Sequence, residues 1–473
     1  MLWLAAVFWL LSLPAAAATL NFTVAASEPV TVTGTPRIAI DVGGVTRYAT
    51  YASGSGTSAL TFSYPVQAGD FDANGITLAS PLELNGGSIT DLAGNSPSNL
   101  NFTLPDTSSL KVQTYTAAFA AISNANATAV SFTISKVPAG ASFSYTITSA
   151  GGSGSLTGSG TIGSSPHTVS GLDVSSLITG TLTLSVTVST VPGGTGMART
   201  ATAVPSFSGG ALDGLTSSAA AYSTRRLSAA YSGPLLRVRR ASDNTEQDIP
   251  FTIGGDLSQT ALAGFCGSSS CFVRSWYDQS GNGLNAVQVS SGSQPRLVNG
   301  GAVELLGTRP AVRFASSQQL GAASPLANSN EFTIAIVTVE RNRYVATAWR
   351  LLTSTANTLR VLAHMPWSDG VLYFDMGTNT SPYRISKAWP VALNTPAIVT
   401  FQNSASANTR GVYLNGTLFL SGNGYPAAAD TLQVGPNYDG HFAEFILFPA
   451  SISSAERLTL ERSQGAYYGI TVP

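Results

Sequence analysis

The sequence predicts an all-β protein of three consecutive sandwich modules, the last a jelly roll with short helices. Three observations predict it. Charged residues make up only 10% of 473 positions, while Gly 47 and Pro 24 supply many turns. Apolar residues alternate with polar ones at period two in many short runs. Turn signals such as Asn-Gly and Gly-Gly separate those runs. At about 150 residues per domain, the length accommodates three cores. The formal net charge of −1 excludes strong attraction to nucleic acid or an anionic membrane. With His 3 and Cys 2, a zinc cluster is excluded and no cofactor is expected.

Residues 1–18 read as a signal peptide. Leu2–Leu13 is almost unbrokenly apolar, and Pro14 with Ala15–Ala18 supplies small residues for cleavage after Ala18. No Lys or Arg precedes the run, which departs from the usual pattern. The run is short of the roughly 20 residues that span a bilayer, and later apolar runs are interrupted. The chain is therefore expected outside the cytoplasm, with no membrane span in the mature form.

Residues 19–112 form the first expected module. Ile38, Ile40 and Val42 alternate with Ala39 and Asp41, and Leu60, Phe62 and Tyr64 with Thr61 and Ser63. Turns are expected at 54–56, 74–75, 85–87 and 94–95. Residues 113–205 form the second. Val130, Phe132 and Ile134 alternate, as do Phe143, Tyr145 and Ile147, and then Leu182 to Val188. Gly151–Gly154 and Gly158–Gly160 are expected as hairpin loops. Residues 206–212 read as a linker.

Residues 213–473 differ in composition. Lys and Arg number 5 before residue 213 and 18 from there on, and Trp276, Trp349, Trp367, Trp389 and both Cys lie in this part. A helix is expected over Ala219–Tyr231, stopped by Gly233-Pro234. Strands are expected at 235–239, 272–277, 332–339, 371–374, 397–401 and 442–448. Asn415-Gly416 between two apolar runs predicts a hairpin. Ser258 is placed to cap a short helix through Phe265, and Ser453 with Glu456 forms a capping box for a last helix. Arg237 and Arg239 share one strand face, read as solvated. His364 and His441 show no partner at ligand spacing.

Several stretches carry family resemblance. Leu84-Asn-Gly-Gly-Ser-Ile-Thr-Asp-Leu-Ala-Gly-Asn95, with Tyr51–Thr57 and Leu60–Tyr64, resembles an Ig-like module of bacterial surface adhesins. Ala129–Thr133, Gly158–Ile162 and Gly171–Ser175 resemble a second such repeat. Asp91 and Asn95 read as a self-bonded turn. In the third module Ala221–Leu227, Arg237–Asn244, Phe265-Cys-Gly-Ser-Ser-Ser-Cys271 and Trp276-Tyr-Asp-Gln-Ser-Gly-Asn-Gly283 resemble the catalytic domain of family 54 α-L-arabinofuranosidases. Val412–Thr417 and Gly440–Glu444 through Gly469 also resemble laminin-G-like domains. The resemblances imply two Ig-like sandwiches and a concanavalin-like jelly roll. They also imply a Cys266–Cys271 disulfide, in keeping with export.

The arabinofuranosidase resemblance implies two carboxylates. The family's nucleophile is a Glu, and the corresponding stretch 346–358 holds no carboxylate. Its acid is an Asp before the final strand, where Val434-Gly-Pro-Asn-Tyr-Asp-Gly440 places Asn437 and Asp439. The first reading is accordingly a secreted or surface-exposed, lectin-like carbohydrate-binding adhesion protein on an Ig-like stalk, at a bacterial surface or in the periplasm. Trp349, Trp367 and Trp389, with Asn437 and Asp439, are its sugar-binding candidates, and its partner is a glycan or cell-surface polysaccharide within a possible larger assembly. The alternative is an α-L-arabinofuranosidase-like hydrolase using Asp375, Asp439 or Glu444. A structural spacer is a further alternative. Asp278 and Asn282 hold a turn or, as weak candidates, calcium.

Overall fold

In the computed structural model the described residues are 18–315, 317–323, 326, 330–343, 347–352, 360–426 and 431–473. The expected leader lies, except for Ala18, outside them. Strands dominate as expected.

In the first module the long strand Thr19–Thr33 pairs with Thr57–Pro65 through its first half and with Ser88–Asp91 through its second. Its register shifts between Ala25 and Val30, where it changes partner. Six strands form one sheet, and Phe71–Asp72 pairs with Val112–Gln113 in a separate two-stranded sheet. Ile38, Ile40, Leu60 and Phe62 line the module's core, as the alternation requires. The Asp91 carboxylate accepts from the backbone and side-chain amides of Asn95, at 2.8 and 2.9 Å, closing the expected turn.

In the second module a three-stranded and a five-stranded sheet share one core of Phe132, Tyr145, Leu184 and Val186 among others. Gly158 and Gly160 are not in a loop. They lie inside strand Gly152–Thr161, paired with Tyr145 and Phe143. A Cβ there would meet the Tyr145 ring at 2.6 Å or the Phe143 ring at 2.8 Å. The aromatic rings lie flat across the strand, and only glycine leaves room for them.

The expected linker is docked on both sides. Asn124 N donates to Ser206 O at 3.0 Å, the Arg226 guanidinium sits 4.4 Å over the Phe207 ring, and Ala211 enters a core cluster of the third module. A second seam joins these modules. Ile253 packs into the core of the second, and its N–H donates to Leu177 O at 2.8 Å.

In the third module the strand pairings close on themselves into a near-barrel network. Ala220–Ser223 is a strand, not the expected helix. It pairs with Gly440–Phe448, and all four residues are buried. The partner strand overrides the helix preference of the alanines. Hairpin Thr409–Leu414 to Thr417–Gly422 turns at Asn415-Gly416 with both φ positive, 47° and 88°. Helix Gln259–Cys266 is capped by Ser258, and helix Ser454–Tyr468 by the Ser453–Glu456 box.

Cys266 and Cys271 are bonded, joining the end of helix Gln259–Cys266 to strand Cys271–Trp276. The closed loop is small, so the unfolded chain loses little entropy. Replacing both by Ser is expected to lower unfolding free energy by about 2 kcal/mol in urea melts without abolishing the fold.

Candidate functional site

Two polar clusters stand out in the third module. The first lies on strand Val371–Gly377. Leu372, Phe374 and Met376 enter the core, so Tyr373 and Asp375 face the other way. Asp375 accepts from Arg384 Nε and Nη2, both at 2.6 Å, in a bidentate pair. The Arg384 guanidinium also sits 4.3 Å over the Tyr373 ring, and Tyr373 Oη donates to Asp369 at 2.7 Å. On the neighbouring strand His364 stands opposite Tyr373. Its Nδ1 is 3.1 Å from Thr347 Oγ1, and the Trp367 ring meets it edge-on at 4.3 Å.

The second cluster gathers where strands Glu331–Glu340, Val312–Phe314 and Gly440–Phe448 end together. Asp439 pairs with Arg313 and accepts from Asn342 Nδ2 at 3.0 Å. Its carbonyl accepts from Arg341 N at 2.9 Å, which ties the turn to the end of the neighbouring strand. Glu340 stands opposite Gly440. Arg343 Nε reaches its Oε2 at 3.4 Å, while Oε1 is buried without a hydrogen-bond partner. Burial pushes the Glu340 carboxyl up to about 7; Arg343 opposes this, and the charge of Asp439 adds to it. Beside them His441 Nε2 is 3.0 Å from Glu304, and Arg341 Nε donates to Nδ1 at 3.3 Å. Nδ1 therefore accepts and the imidazole is neutral, consistent with burial lowering its pKa. Burial alone would raise the Glu304 carboxyl, but hydrogen bonds from His441 and Arg296 outweigh it and lower it.

This second cluster joins a carboxyl that holds its proton near neutrality to a carboxylate in an ion pair. Asp439 was visible in the sequence. Glu340, Arg313 and the Glu304 partner of His441 were not, because they come from separate strands. The one local signal was a Glu closing the apolar run Phe332–Val339.

The other expected site residues take different places. Glu444 is fully buried. It accepts from Arg225 Nε at 2.6 Å, Ser223 Oγ at 3.2 Å and Gln464 Nε2 at 3.1 Å. It binds two strands to the last helix and faces no opening. Trp349 is fully buried among Phe332, Phe374 and Phe401, and Trp389 is buried against Phe419. Trp367 alone is half-buried, so the three rings form no common sugar-binding face. Asn437 is exposed at φ 64°, a left-handed turn position that Asn tolerates. Asp278 is saturated by Ala221 N, Ser280 N, Ser280 Oγ and Leu284 N, all within 3.0 Å, and Asn282 Nδ2 donates to Ser218 O and Ala219 O. Both hold the turn. Among the described residues no group of His, Cys, Asp and Glu is arranged to hold a metal ion. Nor is any helix among them long and apolar enough to cross a membrane.

Comparison with known proteins bears on this module. Residues 212–311 match the family described as alpha-L-arabinofuranosidase B, catalytic. The alpha-L-arabinofuranosidase B of Emericella nidulans is 43% identical over 75 residues, 16% of this chain and 15% of that one. A probable alpha-L-arabinofuranosidase B of Aspergillus fumigatus is 41% identical over 75 residues, with the same shares. The chain thus spans about one seventh of the length of these relatives. Among solved structures, a GH54 α-L-arabinofuranosidase soaked with a cyclic sulfate inhibitor aligns with TM-score 0.40 and 18% identity, covering 52% of this chain and 62% of that one. The expectation of a lectin-like adhesion protein is corrected by this match, which is to the catalytic part of a glycoside hydrolase. The resemblance to the arabinofuranosidase catalytic domain is supported over residues 212–311.

Two outcomes follow from the burial of these carboxylates. Glu444→Gln leaves the Arg225 charge buried without its counter-ion and is expected to cost about 3 kcal/mol or more in urea melts. Glu340 has a folded pKa of about 7, above its ordinary 4.5. Its contribution to stability is therefore full below the lower value and is lost as pH rises through the upper one, by an amount on the order of 3 kcal/mol. Glu340→Gln is expected to remove that part of the pH dependence when unfolding is compared at about pH 5 and about pH 8.

Proposed function

We propose that residues 213–473 form a glycoside hydrolase of the α-L-arabinofuranosidase type, acting on arabinose-containing polysaccharide outside the cell. The observation that carries this reading is the match of residues 212–311 to the catalytic family. Glycosidic cleavage takes one carboxyl that gives a proton to the leaving oxygen and one carboxylate that meets the positive charge developing at the anomeric carbon. Glu340 suits the first role, since burial keeps it protonated near neutrality. Asp439, in its ion pair with Arg313, suits the second. Arg313 and Asn342 hold Asp439 in one orientation, so little reorganisation is needed when charge develops.

The full mature chain is expected to release 4-nitrophenol from 4-nitrophenyl α-L-arabinofuranoside. Glu340→Gln and Asp439→Asn are each expected to lower kcat by about a hundredfold or more, with the fold intact by circular dichroism. Absence of turnover by the wild-type chain on this substrate and on arabinan would overturn the reading. Turnover that survives both substitutions would overturn the assignment of roles.

A further inference from the structure

A cleft of about 620 Å³ lies between the second and third modules, away from both polar clusters. Its volume falls in the range of ordinary ligand sites. Gly151, Gly152 and Ile178 form one wall, and the opposite wall includes Gln247, Thr260, Gly264 and Phe265. The seam between the two modules is built by hydrogen bonds to backbone carbonyls. Thr179 N donates to Phe251 O at 3.0 Å, Thr179 Oγ1 to Thr252 O at 2.9 Å, and Ile253 N to Leu177 O at 2.8 Å. The two walls are therefore held in fixed register.

The chemistry of the walls defines what fits. Every charge bordering the cleft is compensated within the protein. Arg240 binds Asp243 at 2.6 Å and donates to Phe265 O at 2.6 Å, while Asp248 binds Arg237 at 2.8 Å and accepts from Tyr277 Oη at 2.6 Å. A charged ligand would have to compete with these internal partners. The exposed Gln247 amide and Thr260 hydroxyl offer donors and acceptors. Ile178, Pro234, Pro250 and the Phe265 ring add apolar surface. The glycines let a ligand approach the backbone closely. Neutral polar groups beside apolar rings suit a ligand with hydroxyls on its edges and CH groups on its faces.

We infer that this cleft is a subsite for a neutral polysaccharide chain, holding substrate at a distance from the cleavage site. The inference rests on the hydrolase reading for the identity of the ligand. It also gives the second module a part in the function, as one wall of the subsite.

The test uses the full mature chain in affinity electrophoresis through gels containing soluble arabinan or arabinoxylan. A Cβ on Gly264 would meet nothing within 4 Å, so a large side chain there fills the cleft without disturbing the helix. Gly264→Trp is expected to weaken retardation about tenfold, Gly264→Ala to leave it unchanged, and Gln247→Ala to weaken it severalfold. Turnover of the small aryl arabinofuranoside is expected to stay at the wild-type rate in all three. Equal retardation of the wild type and Gly264→Trp overturns the inference, as does absence of retardation in both gels. Retardation that depends on residue 264 in a chain without aryl turnover keeps the subsite and removes the hydrolase reading.

Discussion

The third module depends on strand Gly440–Phe448, whose nine residues are all buried. It pairs along one edge with Val312–Phe314 and Ala220–Ser223 and along the other with Glu331–Glu340. One face meets the main core through Phe442 and Phe445, and the other meets the last helix through Ala443 and Ile446. A strand covered on both faces and both edges has no water to satisfy polar side chains. Each polar residue on it therefore requires a protein partner. Glu444 has Arg225 and His441 has Glu304. These partners come from distant parts of the chain, so the strand gathers the charges of the module as it closes the fold.

The same constraint shapes the polar cluster at the strand's beginning. Asp439 stands where the chain enters the buried strand, and Glu340 where the neighbouring strand leaves it. At such an edge water is excluded unevenly. Asp439 pairs with Arg313, while Glu340 meets Arg343 through one oxygen and keeps the other without a hydrogen-bond partner, and burial pushes its carboxyl up to about 7.

The second and third modules are coupled more closely than a flexible tether would allow. Segment 206–212 is docked, and the loop carrying Ile253 inserts into the neighbouring core. Such an interface restrains relative motion because separating the modules exposes Ile253 and breaks the backbone bonds around it. A Gly- and Ser-rich stretch suggests freedom when read alone, but its backbone groups here find partners on both sides.

The sequence by itself determined the strand-rich class, the cores, and the caps and turns. These depend on neighbours a few residues apart: the alternation at Leu60–Tyr64, the Ser453–Glu456 box and the Asn415-Gly416 turn. It also carried the resemblance that the comparison supports in the third module. Tertiary structure decided the rest. Ala219–Ala221 reads as helix until a strand pairs with it. Trp349 reads as a ligand platform until Phe332, Phe374 and Phe401 enclose it. Gly158 and Gly160 read as a loop until two aromatic rings lie across them. The pairings of Asp375 with Arg384, Asp439 with Arg313 and His441 with Glu304 were equally hidden. Burial and charge are set by what packs around a residue, and those neighbours lie on strands that only the folded sheet brings together.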